Sequence, residues 1–163
     1  QEAQLHARRG RVGTVRCQEV MSRDLVVTAP QALAMEAWHL LSHHQIKALP
    51  VVDEGDKLVG IITLHDLMID RVGRQPRARA ELEQLTVADL MTREVHKARR
   101  YQPLYDLVEA FSDGGLHHMP VVEGDQLVGI ITQSDMVAAL FTLALKPGLT
   151  EDEVPPVSHK NEP

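Results

Sequence analysis

Six residues, Leu58-Val59-Gly60-Ile61-Ile62-Thr63, return unchanged as Leu127-Val128-Gly129-Ile130-Ile131-Thr132. Met21-Ser22-Arg23-Asp24 is echoed by Met91-Thr92-Arg93-Glu94 seventy positions on, and Pro50-Val51-Val52 by Pro120-Val121-Val122 at the same offset. The offset then falls to 69, because Asp53-Glu54-Gly55-Asp56 in the first copy answers to Glu123-Gly124-Asp125 in the second. A one-residue change at a Gly-Asp turn, with both flanks in register, is how a hairpin loop absorbs length. The chain is therefore an internal repeat, and any fold for it must be built twice.

Each copy reads the same way. A short extended piece, Leu25 to Val27 or Val95 to Lys97, precedes an amphipathic helix. Leu33, Ala37, Leu40 and Leu41 share a helical face in the first copy; Leu104, Leu107, Val108 and Phe111 do so in the second, which stops at Gly114-Gly115. Two β-branched strands follow around the turn, Ala48 to Val52 with Lys57 to Ile62, and His118 to Val122 with Gln126 to Ile131. A second helix starts at Thr63 and at Thr132. The order β-α-β-β-α, twice, predicts an α/β fold with helices covering small sheets. Neither copy is large enough to fold comfortably alone, so the two are expected to pack about a pseudo-twofold axis and share a core. The expected divisions are a basic entry arm or linker at 1–19, repeat one at 20–72, a linker at 73–86, repeat two at 87–145 and a disordered tail at 146–163.

Composition excludes several functions. The 163 residues carry a net charge of −6, and the aromatics are confined to Trp38, Tyr101, Tyr105, Phe111 and Phe141. That argues against phosphate-tracking or base-stacking surfaces for nucleic acid. One cysteine, Cys17, excludes an intrachain disulfide and a cysteine-rich zinc site. The longest apolar run, Met136 to Leu145, is too short to span a bilayer, which takes about 20 residues. No signal peptide is visible, and a cytoplasmic location is expected. Arg8, Arg9, Arg11 and Arg16 read as a solvated arm or, since the chain opens on Gln1, as a juxtamembrane segment on the cytosolic face.

The chemistry sits where strand becomes helix. Gly60-Ile61-Ile62-Thr63-Leu64-His65-Asp66 and Gly129-Ile130-Ile131-Thr132-Gln133-Ser134-Asp135 both read Gly-x-x-Thr-x-x-Asp. Thr with Asp three residues later is a variant of the capping box, and stability alone accounts for it. The same residues suit a ligand. A helix N-terminus offers unpaired N–H groups to a phosphate, Thr binds a phosphate or sugar oxygen, and Asp accepts from two vicinal ribose hydroxyls. Gly leaves room for a ligand to approach the backbone. Two copies in a duplicated fold favour the ligand reading.

The repeated Met-Ser/Thr-Arg, Leu/Met-Pro-Val-Val and Gly-Ile-Ile-Thr-x-x-Asp resemble a tandem pair of CBS domains, or Bateman module, over Val20 to Leu140. Such pairs bind adenosine-containing ligands (AMP, ADP, ATP, S-adenosylmethionine or dinucleotides) in clefts between the copies. The resemblance implies that Asp66 and Asp135 hold ribose hydroxyls, and Thr63 and Thr132 ribose or phosphate oxygens. It also implies that backbone at Val26, Thr28, His96 and Ala98, and before Pro50 and Pro120 (Ala48, His118), borders the base. Ser112-Asp113-Gly114-Gly115-Leu116-His117-His118-Met119-Pro120 is similar to a run in CBS pairs fused behind the membrane region of HPP-family proteins, which implies a cytosolic portion of a membrane protein.

The copies differ in charge. Lys97, Arg99 and Arg100 stand where the first copy has Val27, Ala29 and Pro30, and three cations beside the second cleft favour the more anionic ligand there. His65 and His117 are expected beside the clefts, where their charge couples affinity to pH. His39 and His43 have metal-compatible spacing, with His44 and His117-His118 near, but no Cys or carboxylate partner is evident, and a metal site is not expected. No nucleophile–base pattern supports an enzyme. The expected function is a regulatory module whose occupancy by an adenine nucleotide alters a linked effector or transmembrane domain. It is expected to form a homodimer through the helices around Met136 to Leu145. The alternative is a ligand-free dimerisation scaffold in which both Thr/Asp pairs serve only as caps.

Overall fold

A computed structural model describes residues 15–144. The tail expected at 146–163 and most of the basic arm expected at 1–19 lie outside the described residues. The chain runs α1 (Cys17–Val20), α2 (Ala34–His44), β1 (Ala48–Val52), β2 (Leu58–Thr63), α3 (Leu64–Met68), α4 (Arg79–Gln84) and α5 (Val87–Leu90). It continues with β3 (Ala98–Arg99), a 3-10 turn (Leu104–Leu107), α6 (Val108–Ser112), β4 (His118–Glu123), β5 (Gln126–Thr132) and α7 (Gln133–Ala144). The expected mixture of helices on small sheets is what forms. β1 pairs antiparallel with β2, and β4 with β5, each ladder carrying one irregularity at the equivalent place, Val51/Val52 and Val121/Val122.

Three local expectations are corrected. Leu33 caps α2 and is exposed, so the buried face of that helix is Ala34, Ala37 and Leu41. The second copy's first helix begins as the 3-10 turn, with the Asp106 N–H donating back to the Pro103 carbonyl. The paired extended residues fall after those expected. Thr28 bridges Val51, and Ala98–Arg99 lie parallel to Val121 and Val122. Between the copies, within 73–86, α4 forms and buries Leu82, and the Leu85 carbonyl accepts from Ala34 N–H.

The two cores do not follow the two copies of the sequence. Met21 and Cys17 lie in the second core with Leu104, Phe111, Val121 and Ile131. Met91, Val87 and Leu82 lie in the first with Leu41, Leu49, Val51 and Ile62. Backbone pairing carries the same exchange. Ser22 and Ile130 trade N–H···O bonds at 2.8 and 3.0 Å, and Thr92 and Ile61 trade theirs at 2.8 and 2.9 Å. Each exchanged methionine lies over a glycine of the strand it joins. A Cβ on Gly129 would meet the side chain of Met21, and one on Gly60 would stand 2.9 Å from the Thr92 carbonyl oxygen. The space over Gly60 and Gly129, expected to admit a ligand, is thus filled by the other copy. The hairpin turns are joined as well. Leu127 N–H donates to the Asp56 carbonyl, Leu58 N–H to the Asp125 carbonyl, and the Gln126 amide to the Gly55 carbonyl.

Two outcomes follow from this packing. Gly60→Ala must displace backbone, so it is expected to destabilise the chain by about 1–3 kcal/mol, read from urea unfolding. Burial, reinforced by Asp106, pushes the Cys17 thiol up to about 11, so it is protonated at neutral pH. Cys17 is expected to alkylate far more slowly in the native chain than in urea, followed with iodoacetamide at pH 7.5.

Candidate functional site

The exchange leaves a cleft of about 1030 Å³ with walls from both copies. One wall is the extended entry of copy one, Ser22 and Asp24 to Val26, with Lys47, Ala48 and Pro50 leading into β1. The other is the end of β5 and the start of α7, from Ile130 and Thr132 to Asp135, with His117 and His118. Thr63, His65 and Met68 of copy one reach the same space.

The physics of the strand–helix junctions is identical in the two copies. Thr63 Oγ1 accepts from Asp66 N–H at 3.2 Å, and Asp66 Oδ2 accepts from Thr63 N–H at 2.9 Å. Thr132 Oγ1 accepts from Asp135 N–H at 3.1 Å, and Asp135 Oδ2 accepts from Thr132 N–H at 2.9 Å. Each pair is a reciprocal capping box that satisfies two orphan donors. What differs is the remaining carboxylate oxygen. Asp66 is buried, and its Oδ1 receives the Arg71 guanidinium; Asp135 is partly exposed and lines the cleft.

The expected site residues divide accordingly. Val26, Ala48, Thr63, His118, Thr132 and Asp135 come together around the cleft, as do His65 and His117. Thr28, Asp66, His96 and Arg99 do not line it. Thr28 is buried, held by its N–H to the Pro50 carbonyl and its carbonyl to Val52 N–H. His96 and Arg99 are exposed. The expected cationic cluster of Lys97, Arg99 and Arg100 is not part of the cleft either. Arg100 pairs with Glu123 at 2.8 Å, donates to Gln18 Oε1 and stacks over Tyr101. The basic groups in the cleft are instead Lys47, His65, His117 and His118, and Lys47 carried no signal in the repeat to mark it. His117 Nδ1 lies 3.0 Å from Gln133 Oε1. Desolvation, then the neighbouring His117 and Lys47, hold the His118 pKa below the usual histidine range. His43 and His44 stack edge to face; among the described residues no three His, Cys, Asp or Glu side chains converge as a metal site would require.

Comparison with known proteins agrees with this geometry. The CBS domain family model matches residues 17–71 and 87–142. The CBS domain pair of protein MJ0100, solved with 5'-methylthioadenosine and S-adenosyl-L-methionine, is 29% identical with a TM-score of 0.64, covering 79% of this chain and 97% of that one. CBSX2 solved in complex with AMP is 26% identical with a TM-score of 0.66, covering 78% and 97%. Inosine-5'-monophosphate dehydrogenase of Methanocaldococcus jannaschii is 31% identical over 120 residues, 73% of this chain and 22% of that protein. The chain spans between 22% and 59% of the length of the first three curated relatives it matches. Two family matches that together span most of the chain, on a fold shared with solved CBS pairs, make this chain a member of the CBS domain family, carrying two tandem copies.

Proposed function

We propose that the chain is a regulatory module that senses an adenosine-containing nucleotide in the cleft between its copies and passes its occupancy to a linked, membrane-embedded domain. The observation that carries this is the cleft itself. Thr132 and Asp135 stand at the N-terminus of the twelve-residue helix α7, opposite the Val26 and Ala48 backbone. The helix end and Asp135 suit phosphate and ribose hydroxyls, and the apolar wall suits a base. Lys47 adds positive charge for a phosphate, and the rings of His65, His117 and His118 add nitrogen atoms that can hydrogen-bond to it. Relatives solved with AMP and with S-adenosylmethionine support the class of ligand. Because the walls belong to different copies, a bound nucleotide favours one arrangement of the pair over another, which is the requirement for a signal.

The linked domain is inferred from relatives in which the matching segment is a minor part of a longer protein, and from the HPP-like run at Ser112 to Pro120. The same reading puts this portion on the cytosolic face of that membrane; among the described residues no helix is long and apolar enough to cross one. A second copy is the proposed cover for α7, where Val137 and Phe141, four residues apart, are 64% and 61% exposed. The scaffold reading keeps one point in its favour: both Thr/Asp boxes are complete as caps without a ligand.

Titration calorimetry decides between the two. Asp135→Asn is expected to weaken AMP binding by about tenfold to a hundredfold, the size of one or two lost charge-assisted hydrogen bonds. Stable wild-type protein that binds none of AMP, ATP and S-adenosylmethionine is the result expected of a scaffold. A second outcome concerns pH. Because the folded chain holds the His118 proton less tightly than the unfolded chain does, neutral His118 contributes stability above about pH 6.5 that is lost as pH falls through and below it. A phosphate in the cleft opposes that shift, so AMP binding near pH 6 is expected to take up protons. Calorimetry in two buffers of different ionisation enthalpy reads the uptake, and His118→Asn is expected to reduce it.

A further inference from the structure

The two copies place equivalent oxygen-bearing side chains on either side of the exchange: Ser22, Thr132 and Asp135 on one, Thr92, Thr63 and Asp66 on the other. Ser22 pairs with Ile130 as Thr92 pairs with Ile61, so the second set is the pseudo-twofold counterpart of the cleft that holds Asp135. In that second set the oxygens are already engaged. Arg71 Nη2 donates to Asp66 Oδ1 and, at 3.0 Å, to Thr92 Oγ1, while Asp66 Oδ2 accepts from Thr63 N–H. Asp135 Oδ1, by contrast, has no protein partner among the described residues.

The difference begins in the sequence. Five residues after Asp66 stands Arg71, and five after Asp135 stands Leu140. α3 stops at Met68, where Ile69 is extended, and the chain then turns so that Arg71 comes back to the carboxylate. α7 runs on to Ala144 and carries Leu140 away as an ordinary helical residue. Arg77 Nε adds a bond to the Asp66 carbonyl at 3.0 Å.

We propose that Arg71 is a built-in occupant of the second cleft, standing where a ribose would stand, so that the module takes one adenosine ligand per chain, at Asp135. This rests on the nucleotide reading above and adds to it the stoichiometry and its cause. A neutral ribose hydroxyl donates a weaker bond than a guanidinium, and displacing Arg71 would leave a buried carboxylate without its cation. The ligand therefore loses the competition at Asp66 and meets none at Asp135. Because Arg71 bonds to both Asp66 and Thr92, it also ties the copies together on the side opposite the open cleft.

Calorimetry with AMP tests the assignment on the same chain. The wild type is expected to bind one AMP per chain, Asp135→Asn to lose it, and Asp66→Asn to retain it within about threefold. Arg71→Ala is expected to add a second, weaker site, and that site is expected to survive in the Arg71→Ala/Asp135→Asn double variant. Arg71→Gln, which keeps a donor for Thr92, serves if the alanine variant melts early. Two AMP per wild-type chain, loss of binding in Asp66→Asn alone, or unchanged stoichiometry in a folded Arg71 variant overturns the proposal and leaves the nucleotide reading standing. The same counts apply to ATP or S-adenosylmethionine if either binds in place of AMP, and no binding of any of the three by wild type or Arg71 variant overturns both.

Discussion

The fit of each exchanged methionine over a glycine of the opposite strand is the contact on which the rest of the fold depends. Gly60 and Gly129 have no side chain, so the backbone of the other copy can come within hydrogen-bonding distance and a methionine can cover the strand. Thioethers suit this position because they fill irregular space without demanding a polar partner. Once Met21 and Met91 are seated, each hydrophobic cluster contains residues from both copies, and neither is closed without the other. The joined hairpin turns then fix the lateral register of β2 against β5.

The same exchange creates the cleft. Entry segments that cross to the opposite strand leave a concave space between their own copy's β1 and the other copy's strand–helix junction. Anything that touches both Val26 and Asp135 therefore touches both copies. Near-identical junction chemistry yields unequal sites because the flanking chain differs: a short helix returning Arg71 on one side, a long helix continuing past Leu140 on the other. Duplication supplied two similar junctions, and divergence a few residues away gave their aspartates different partners.

Much of this was legible before any coordinates. The repeat, the hairpins and their Gly-Asp turns, and the Thr/Asp junctions all follow from short-range patterns. Such patterns persist because strand pairing and capping involve near neighbours. The exchange was not legible, since Met21 is adjacent to its own copy in sequence and its partner Gly129 lies far along the chain. The long-range partners of Arg100 were hidden for a related reason. Charge proximity in sequence said nothing of Glu123 and Gln18, which take Arg100 from distant segments. Arg71 carried no motif at all; only the end of α3 at Met68 brings it to Asp66.

The crossing of the entry segments also governs how the chain can be made. During synthesis the first core lacks Val87 and Met91 until the second copy has begun to appear, so its helix α2 and hairpin wait with an open face. The segment of Cys17 and Met21 has no place to pack until β5 is complete, almost the whole described chain later. Contacts this far apart in sequence carry a larger loop-closure cost, which slows folding. Division between the copies would separate Met21 from Gly129 and Met91 from Gly60, leaving each fragment with the methionine that covers the other.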